Sequence, residues 1–175
     1  MRILIAYAGK NNTTATCVAR LREQLGNRDV TVADLTEHII DPSAFDLVVF
    51  GSSVYFGKLR PQAREFMRQY ETVLSQKKLV LFLCCGLESE YSYYMEKLFS
   101  RALRDAAIQK CFFGGSLKTE GLAFFDRMIL RSMRSSLFEA DMDNGEYTAT
   151  LPTILPENID KLASQIATWI TSTGK

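Results

Sequence analysis

Short β-prone runs alternate with stretches whose apolar residues recur at helical spacing. The runs are Ile3 to Ala8, Val30 to Ala33, Phe45 to Phe50, Leu79 to Cys85 and Lys110 to Phe113. Between them, Cys17, Val18, Leu21 and Leu25 give one helical stripe over Thr13 to Leu25, closed by Gly26 and Asn27. Pro61 suits a first helical position, and Ala63, Phe66, Met67, Tyr70 and Leu74 form the inner stripe behind it. Tyr91 to Ala107 and Pro156 to Ile170 complete the helical pattern. Five strands separated by helices predict an α/β fold with a doubly wound parallel sheet and right-handed crossovers. Uninterrupted apolar strands such as Ile3 to Ala8 are what a sheet covered on both faces requires.

One segment departs from the alternation. It is expected as an insert over about 117–153, between the fifth strand and the last helix, with a helical pattern over Leu122 to Phe138. Phe124, Phe125, Met128, Ile129, Met133 and Phe138 are interleaved there with Arg127, Arg131 and Arg134. This aromatic, basic pattern suits either an extra helix packed on the sheet with its arginines in solvent, or a surface for a membrane face or a large anionic apolar ligand. Asp143-Asn144-Gly145 predicts a hairpin turn ahead of Tyr147 to Leu151.

Composition narrows the class. At 175 residues, 47% hydrophobic and 23% charged, the chain is expected to form a single domain, 1–175. A net charge of +1 does not call for nucleic acid. No apolar stretch approaches the ~18 residues of a membrane span, and no signal-peptide pattern precedes the first strand, so a cytoplasmic location is expected. Cys17, Cys84, Cys85 and Cys111 fall in apolar patterns and read as reduced core thiols. His38 is the sole histidine and no CxxC occurs, which argues against zinc and against a triad-type nucleophile.

The candidate chemistry lies in loops. In an open parallel sheet, ligands bind beyond the carboxyl ends of the strands, where strand order reverses. With order 2-1-3-4-5, the loops Ala8 to Thr14, Ser52 to Arg60 and Gly86 to Tyr91 are neighbours. In the first, Gly9, Asn11 and Asn12 tolerate left-handed backbone, Thr13 and Thr14 add hydroxyls, and a helix begins, so it reads either as an ordinary turn or as a phosphate cradle. Neither GxGxxG nor GxxxxGK[ST] is present. The second loop carries Tyr55 and Phe56 between Gly51 and Gly57, where an aromatic ring can either cap the sheet or stack on a flat ligand. Together the two loops point to a flat cofactor with one phosphate, FMN being the candidate.

Tyr7-Ala8-Gly9-Lys10-Asn11-Asn12-Thr13-Thr14, Gly51-Ser52-Ser53-Val54-Tyr55-Phe56-Gly57-Lys58 and Cys84-Cys85-Gly86 resemble the three FMN loops of flavodoxins. The stretch from Gly114-Gly115 through Leu122 to Ile129 resembles the helical insert of the flavodoxin-like branch that includes the menaquinone-dependent protoporphyrinogen oxidases. The resemblance implies phosphate contacts from Gly9, Lys10, Asn11, Asn12, Thr13 and Thr14, and ring contacts from Ser53, Val54, Tyr55, Phe56, Gly57, Cys85, Gly86 and Leu87. Two features depart from the family pattern. Ala8-Gly9 lacks a hydroxyl and Asn12 stands where glycine is usual, so Asn12 is expected to be left-handed; and the near-neutral charge differs from strongly acidic electron carriers.

Three functions follow as expectations. The first is an FMN-binding redox protein passing electrons through the flavin to a partner protein or a quinone. The second is a protoporphyrinogen oxidase using FMN and a quinone acceptor, with the tetrapyrrole between Phe124/Phe125 and the flavin and peripheral membrane contact through Leu122 to Phe138. A non-catalytic α/β ligand-binding module is the third; its receiver-like form lacks the paired aspartates, since the first strand ends Ala6-Tyr7-Ala8.

Overall fold

The computed structural model describes residues 1–10, 12–86, 88–115 and 153–172. Its strands are β1 (Ile3–Ala8), β2 (Val30–Asp34), β3 (Leu47–Tyr55), β4 (Lys58–Leu59), β5 (Lys78–Cys84) and β6 (Ala107–Phe112). Its α-helices are α1 (Thr13–Gln24), α2 (Pro61–Ser75), α3 (Tyr91–Leu98), α4 (Arg101–Ala106) and α5 (Pro156–Ser172). The sheet order is β2-β1-β3-β5-β6, all parallel, with β4 antiparallel to the end of β3.

The two-sided burial expected of a parallel sheet is visible residue by residue. Ile3, Ile5 and Tyr7 of β1, Leu47 and Val49 of β3, and Val80, Phe82 and Cys84 of β5 pack with α1 and α5. Their alternates Leu4, Ala6, Ala8, Val48, Phe50, Leu79, Leu81 and Leu83 pack with α2, α3 and α4. Each of these three strands feeds two cores, so over that length it has no polar face to alternate with. Burial of each large side chain contributes about 1.5–3 kcal/mol before conformational entropy is subtracted.

The sheet has six strands rather than five. The loop expected over Ser52 to Arg60 is instead a hairpin: β3 runs on to Tyr55, Phe56 and Gly57 turn, and Val54 pairs with Leu59 and Tyr55 with Lys58. Phe56 and Gly57 have φ of +48° and +68°, the two left-handed central residues of a type I′ turn.

The helix expected over Tyr91 to Ala107 is two helices. Phe99 adopts an extended backbone and is buried edge-on to Phe50, ring centroids 5.8 Å apart. The Leu103 N–H then donates to Ser100 Oγ, which caps α4. Because α4 ends at Ala106, β6 starts at Ala107, three residues before the expected Lys110.

Two backbone contacts close the far end of the sheet. Gly114 forms an antiparallel bridge with Ile154, the Gly115 N–H donates to Thr153 O at 3.1 Å, and the Leu155 N–H donates to Phe113 O at 3.0 Å. The insert expected over 117–153, with its helix and its Asn144-Gly145 hairpin, lies outside the described residues apart from Thr153.

Gly51 is the tightest point in β3. A β-carbon there would lie 2.4 Å from both the Phe82 ring and the Phe82 carbonyl oxygen, and that ring is stacked on Phe113 at 4.8 Å. Gly51→Ala is therefore expected to destabilise the protein by about 1–3 kcal/mol through overpacking. The readout is the urea midpoint; a midpoint equal to that of the parent would contradict this packing.

Candidate functional site

The register of β1, β3 and β5 brings three loops together. Ala8 pairs with Ser52, and Ser53 with Cys84, so the strands end side by side at their carboxyl termini. Because β1 lies between β2 and β3, chain direction around the sheet reverses there, which opens a crevice.

The first loop leads into α1. Thr16 N–H and Thr16 Oγ1 both bond to the Asn12 carbonyl, at 2.7 and 2.9 Å, so Asn12 caps the helix through its backbone. The N–H groups of Thr13, Thr14 and Ala15 precede the first intrahelical bond and face outward with the positive end of the helix. Asn12 has φ −9° and ψ −14°, not the left-handed conformation expected of it. Turning its carbonyl into the helix to meet Thr16 holds it between the helical and the left-handed regions instead. Gly9 is needed for close approach: a β-carbon there would lie 2.9 Å from Thr14 Cβ and 3.1 Å from Thr14 Oγ1.

Two hydroxyls at this edge are buried without a hydrogen-bond partner among the described residues, Thr14 Oγ1 and Ser53 Oγ. Thr14 is 1% exposed. Beneath it lies Cys84, whose pKa is pushed well above the ordinary thiol value by its contact with Cys17 and by burial, the neighbouring Thr14 hydroxyl opposing them. Burial likewise raises Cys111 to about 12. These thiols are protonated core groups at neutral pH, and all four cysteines are buried with no disulfide among them. No cluster of three metal-ligating side chains exists among the described residues.

The second loop is the β3–β4 hairpin. Its turn holds Phe56 in a conformation that costs a non-glycine residue about 1–2 kcal/mol, and leaves the ring 47% exposed. Tyr55 is half-buried, with its ring centroid 4.3 Å from that of Phe56. The phosphate-type loop reaches it: Lys10 Nζ stands 3.6 Å from the Tyr55 ring centroid, at the phenol end, and donates to the Tyr55 hydroxyl. Arg60 Cζ stands 5.9 Å from the same ring, within cation–π range. Residues 8–14 and 52–60 contain Lys10, Lys58 and Arg60 and no carboxylate.

The third loop follows β5 through Cys85, which is buried, and Gly86, which is half-buried. A short 3-10 turn (Glu88–Glu90) leads from it into α3. Burial raises the Tyr91 and Tyr94 phenols above their ordinary value, so both stay protonated. Asn11 and Leu87 lie outside the described residues. Gly9, Lys10, Asn12, Thr13, Thr14, Ser53, Val54, Tyr55, Phe56, Gly57, Cys85 and Gly86 all belong to the three loops at this edge.

Four residues at the edge escaped the sequence reading. Ser52, fully buried, accepts the Arg60 N–H at 3.2 Å and donates to Ser53 O at 3.0 Å, fixing the exit of the hairpin. Arg60 approaches Tyr55 as described. Tyr94 Cε1 would lie 3.8 Å from a β-carbon on Gly57, and Gly115 packs its backbone on the Cys85–Gly86 peptide, where a β-carbon would come within 2.6 Å of Cys85 C and O. The Gly114-Gly115 pair carried a signal; the other three depend on pairings invisible in linear order.

Similar architecture recurs in solved structures. The flavodoxin of Fusobacterium nucleatum, in a crystal structure bound to flavin mononucleotide, matches with a TM-score of 0.51 at 12% identity, covering 96% of this chain and 98% of that one. Rubredoxin oxygen:oxidoreductase of the anaerobe Desulfovibrio gigas matches with a TM-score of 0.50 at 12% identity, over 94% of this chain and 36% of that one. These likenesses speak for the fold. No curated protein matches the chain significantly. A family model described as a flavodoxin domain matches residues 4–143, and on that match the chain belongs to the flavodoxin domain family.

Proposed function

We propose that this protein binds FMN at the three-loop edge and transfers electrons through it to a redox partner. The observation that carries the reading is the contact of Lys10 with Tyr55, which joins a phosphate-type loop to an aromatic loop across the strand-order reversal. The buried, unpartnered Thr14 and Ser53 hydroxyls fit a polar ligand, and an FMN phosphate suits the outward N–H groups at the start of α1. Family membership supports the same cofactor.

In this assignment, Gly9, Lys10, Asn11, Asn12, Thr13 and Thr14 hold the phosphate. Ser53, Val54, Tyr55, Phe56 and Gly57 would contact the ring, together with Cys85, Gly86 and Leu87. The cofactor supplies reversible one- and two-electron transfer; the chain supplies position, a cationic first and second loop, and exclusion of water. The protonated Cys84, Tyr91 and Tyr94 hold their protons at neutral pH. Phe56, exposed on a strained turn, is placed to meet a flat group or a partner surface.

Protein mixed with FMN and then desalted is expected to be yellow with a flavin absorption band; a colourless protein would end this reading. Within it, Tyr55→Ala is expected to weaken FMN about 3- to 10-fold through lost stacking. Thr14→Val is expected to weaken FMN about tenfold or more, as loss of a hydrogen bond to a charged group, while leaving the melting of the FMN-free protein nearly unchanged. Fluorescence-quenching titration and thermal unfolding read the two effects separately.

A narrower reading, porphyrinogen oxidation with a quinone acceptor, is supported by the aromatic and basic pattern of Leu122 to Phe138, which lies outside the described residues. FMN-loaded protein given a porphyrinogen and a quinone under anaerobic conditions is expected, on this reading, to form porphyrin faster than an FMN blank. A rate equal to the blank leaves electron transfer alone.

A further inference from the structure

Arg60 leaves the hairpin with its backbone satisfied and its side chain not. Its N–H donates to Ser52 Oγ at 3.2 Å, and its carbonyl accepts the Arg64 N–H at 3.1 Å as α2 begins. The guanidinium, by contrast, forms no ion pair among the described residues, and its Nε is buried without a hydrogen-bond partner. Gln62 Oε1, two residues along, is a buried acceptor that also lacks a partner, so the Nε–H does not turn back to it. Buried donors are ordinarily paired, and one on a charged group marks where an acceptor of a ligand belongs. Ser53 and Tyr55 share a face of β3, and the Tyr55–Lys58 and Val54–Leu59 pairs set Arg60 at the base of the same hairpin, its Cζ 5.9 Å from the Tyr55 ring centroid. Ser53 Oγ is unpartnered as well. Two donors thus stand at the aromatic loop, on a different element from the N–H groups that open α1. The first two loops carry no carboxylate, and Glu88 and Glu90 of the third form no ion pair with Arg60.

We propose that Arg60 tunes the bound flavin: it holds the reduced, anionic ring more tightly than the oxidised, neutral one and so raises the midpoint potential. This rests on the FMN reading above. Reduction adds two electrons and one proton to the ring. The proton goes to N5, and the negative charge spreads over N1 and the adjacent carbonyl oxygen. The electrons come from the redox partner, or from dithionite in the test below. The oxidised ring offers the guanidinium a neutral acceptor, the reduced ring a charged one, and a hydrogen bond between ionised groups is roughly twice as strong. Arg60 is half-buried, so this attraction is screened less than that of Lys58, which is exposed on the same hairpin. A reduced flavin held in this way is a weaker reductant, which suits a quinone acceptor better than a low-potential carrier.

Two roles for Arg60 differ in what they do to the midpoint. A phosphate ligand meets the same phosphate in both redox states, so its loss weakens FMN and leaves the midpoint where it was. A partner of the reduced ring changes the ratio of the two affinities. The test is anaerobic titration of the FMN-loaded full chain with dithionite beside a reference dye, for the parent and for Arg60→Gln, Arg60→Lys and Lys58→Gln. Fluorescence quenching gives the affinity of each for oxidised FMN, and thermal melting compares the FMN-free forms. Arg60→Gln is expected to reduce the preference for reduced over oxidised FMN about tenfold, a fall in midpoint of about 30 mV for a two-electron couple. Arg60→Lys keeps the charge without the planar fork and is expected to fall between that variant and the parent. Lys58→Gln, which removes an exposed charge, is expected to shift the midpoint far less. If Arg60→Gln fails to fold, Arg60→Met serves in its place. Failure of the parent to bind FMN overturns the cofactor assignment itself. FMN binding by the parent, with a midpoint unmoved by loss of the arginine or moved no further than in Lys58→Gln, overturns the role of Arg60.

Discussion

The position of β1 between β2 and β3 is the constraint on which the rest depends. It forces the strand on both sides to be buried, it puts the chain reversal at the carboxyl end of β1, and it makes Ala8 the neighbour of Ser52. A crevice between helices on opposite faces follows from that placement alone. Slipping β1 by one residue against β3 would turn its side chains over, sending Ile3, Ile5 and Tyr7 to the side filled by Phe50 and Phe66. The relative positions of the three loops are set by a packed sheet that has one acceptable register.

Close packing continues into the edge itself. Gly9 against Thr14, Gly51 against Phe82 and Gly115 against the Cys85–Gly86 peptide are three places where a side chain would collide with its neighbour. Gly9 and Gly115 lie just beyond strand ends that frame the crevice, and Gly51 lies within β3, one residue before Ser52. Backbone rather than side chains therefore shapes the site, which suits recognition by N–H groups and explains why so few ionisable residues are found there. In the first two loops the charged residues are Lys10, Lys58 and Arg60, which give the aromatic hairpin a positive environment that the near-zero net charge of the chain conceals, while Glu88 and Glu90 follow in the third.

Strands and helical stripes could be read in advance because a doubly covered sheet leaves continuous apolar runs, as in Ile3–Ala8 and in the long middle of β5. The small polar loop before α1 could be read because glycine, asparagine and threonine are each suited to the same local geometry. What could not be read were consequences of pairing. The β3–β4 hairpin lacks the usual asparagine-glycine signal, since phenylalanine takes the first turn position. Phe99 interrupts a helical pattern in order to reach Phe50, a core contact no periodicity encodes. Lys10 and Tyr55 meet across 45 positions of sequence, and Arg60 reaches the same ring only because β4 folds back. Asn12 shows a local expectation overridden by a capping requirement one turn further along.

The backbone clasp between Phe113–Gly115 and Thr153–Leu155 has a consequence for how this chain can diversify. The polypeptide departs from the sheet at Gly115 and re-enters it at Thr153, and the two points are hydrogen-bonded to each other. Whatever length lies between them begins and ends at one place, so changing that length leaves the strand pairings of the described residues in position. The entropic charge for such a closed excursion grows only with the logarithm of its length, about 0.6 kcal/mol per doubling. Its point of departure nevertheless presses on the Cys85–Gly86 peptide of the crevice. The fold thus anchors both ends of that segment directly beside the crevice, so that a change in the segment can reach the site through its two anchor points.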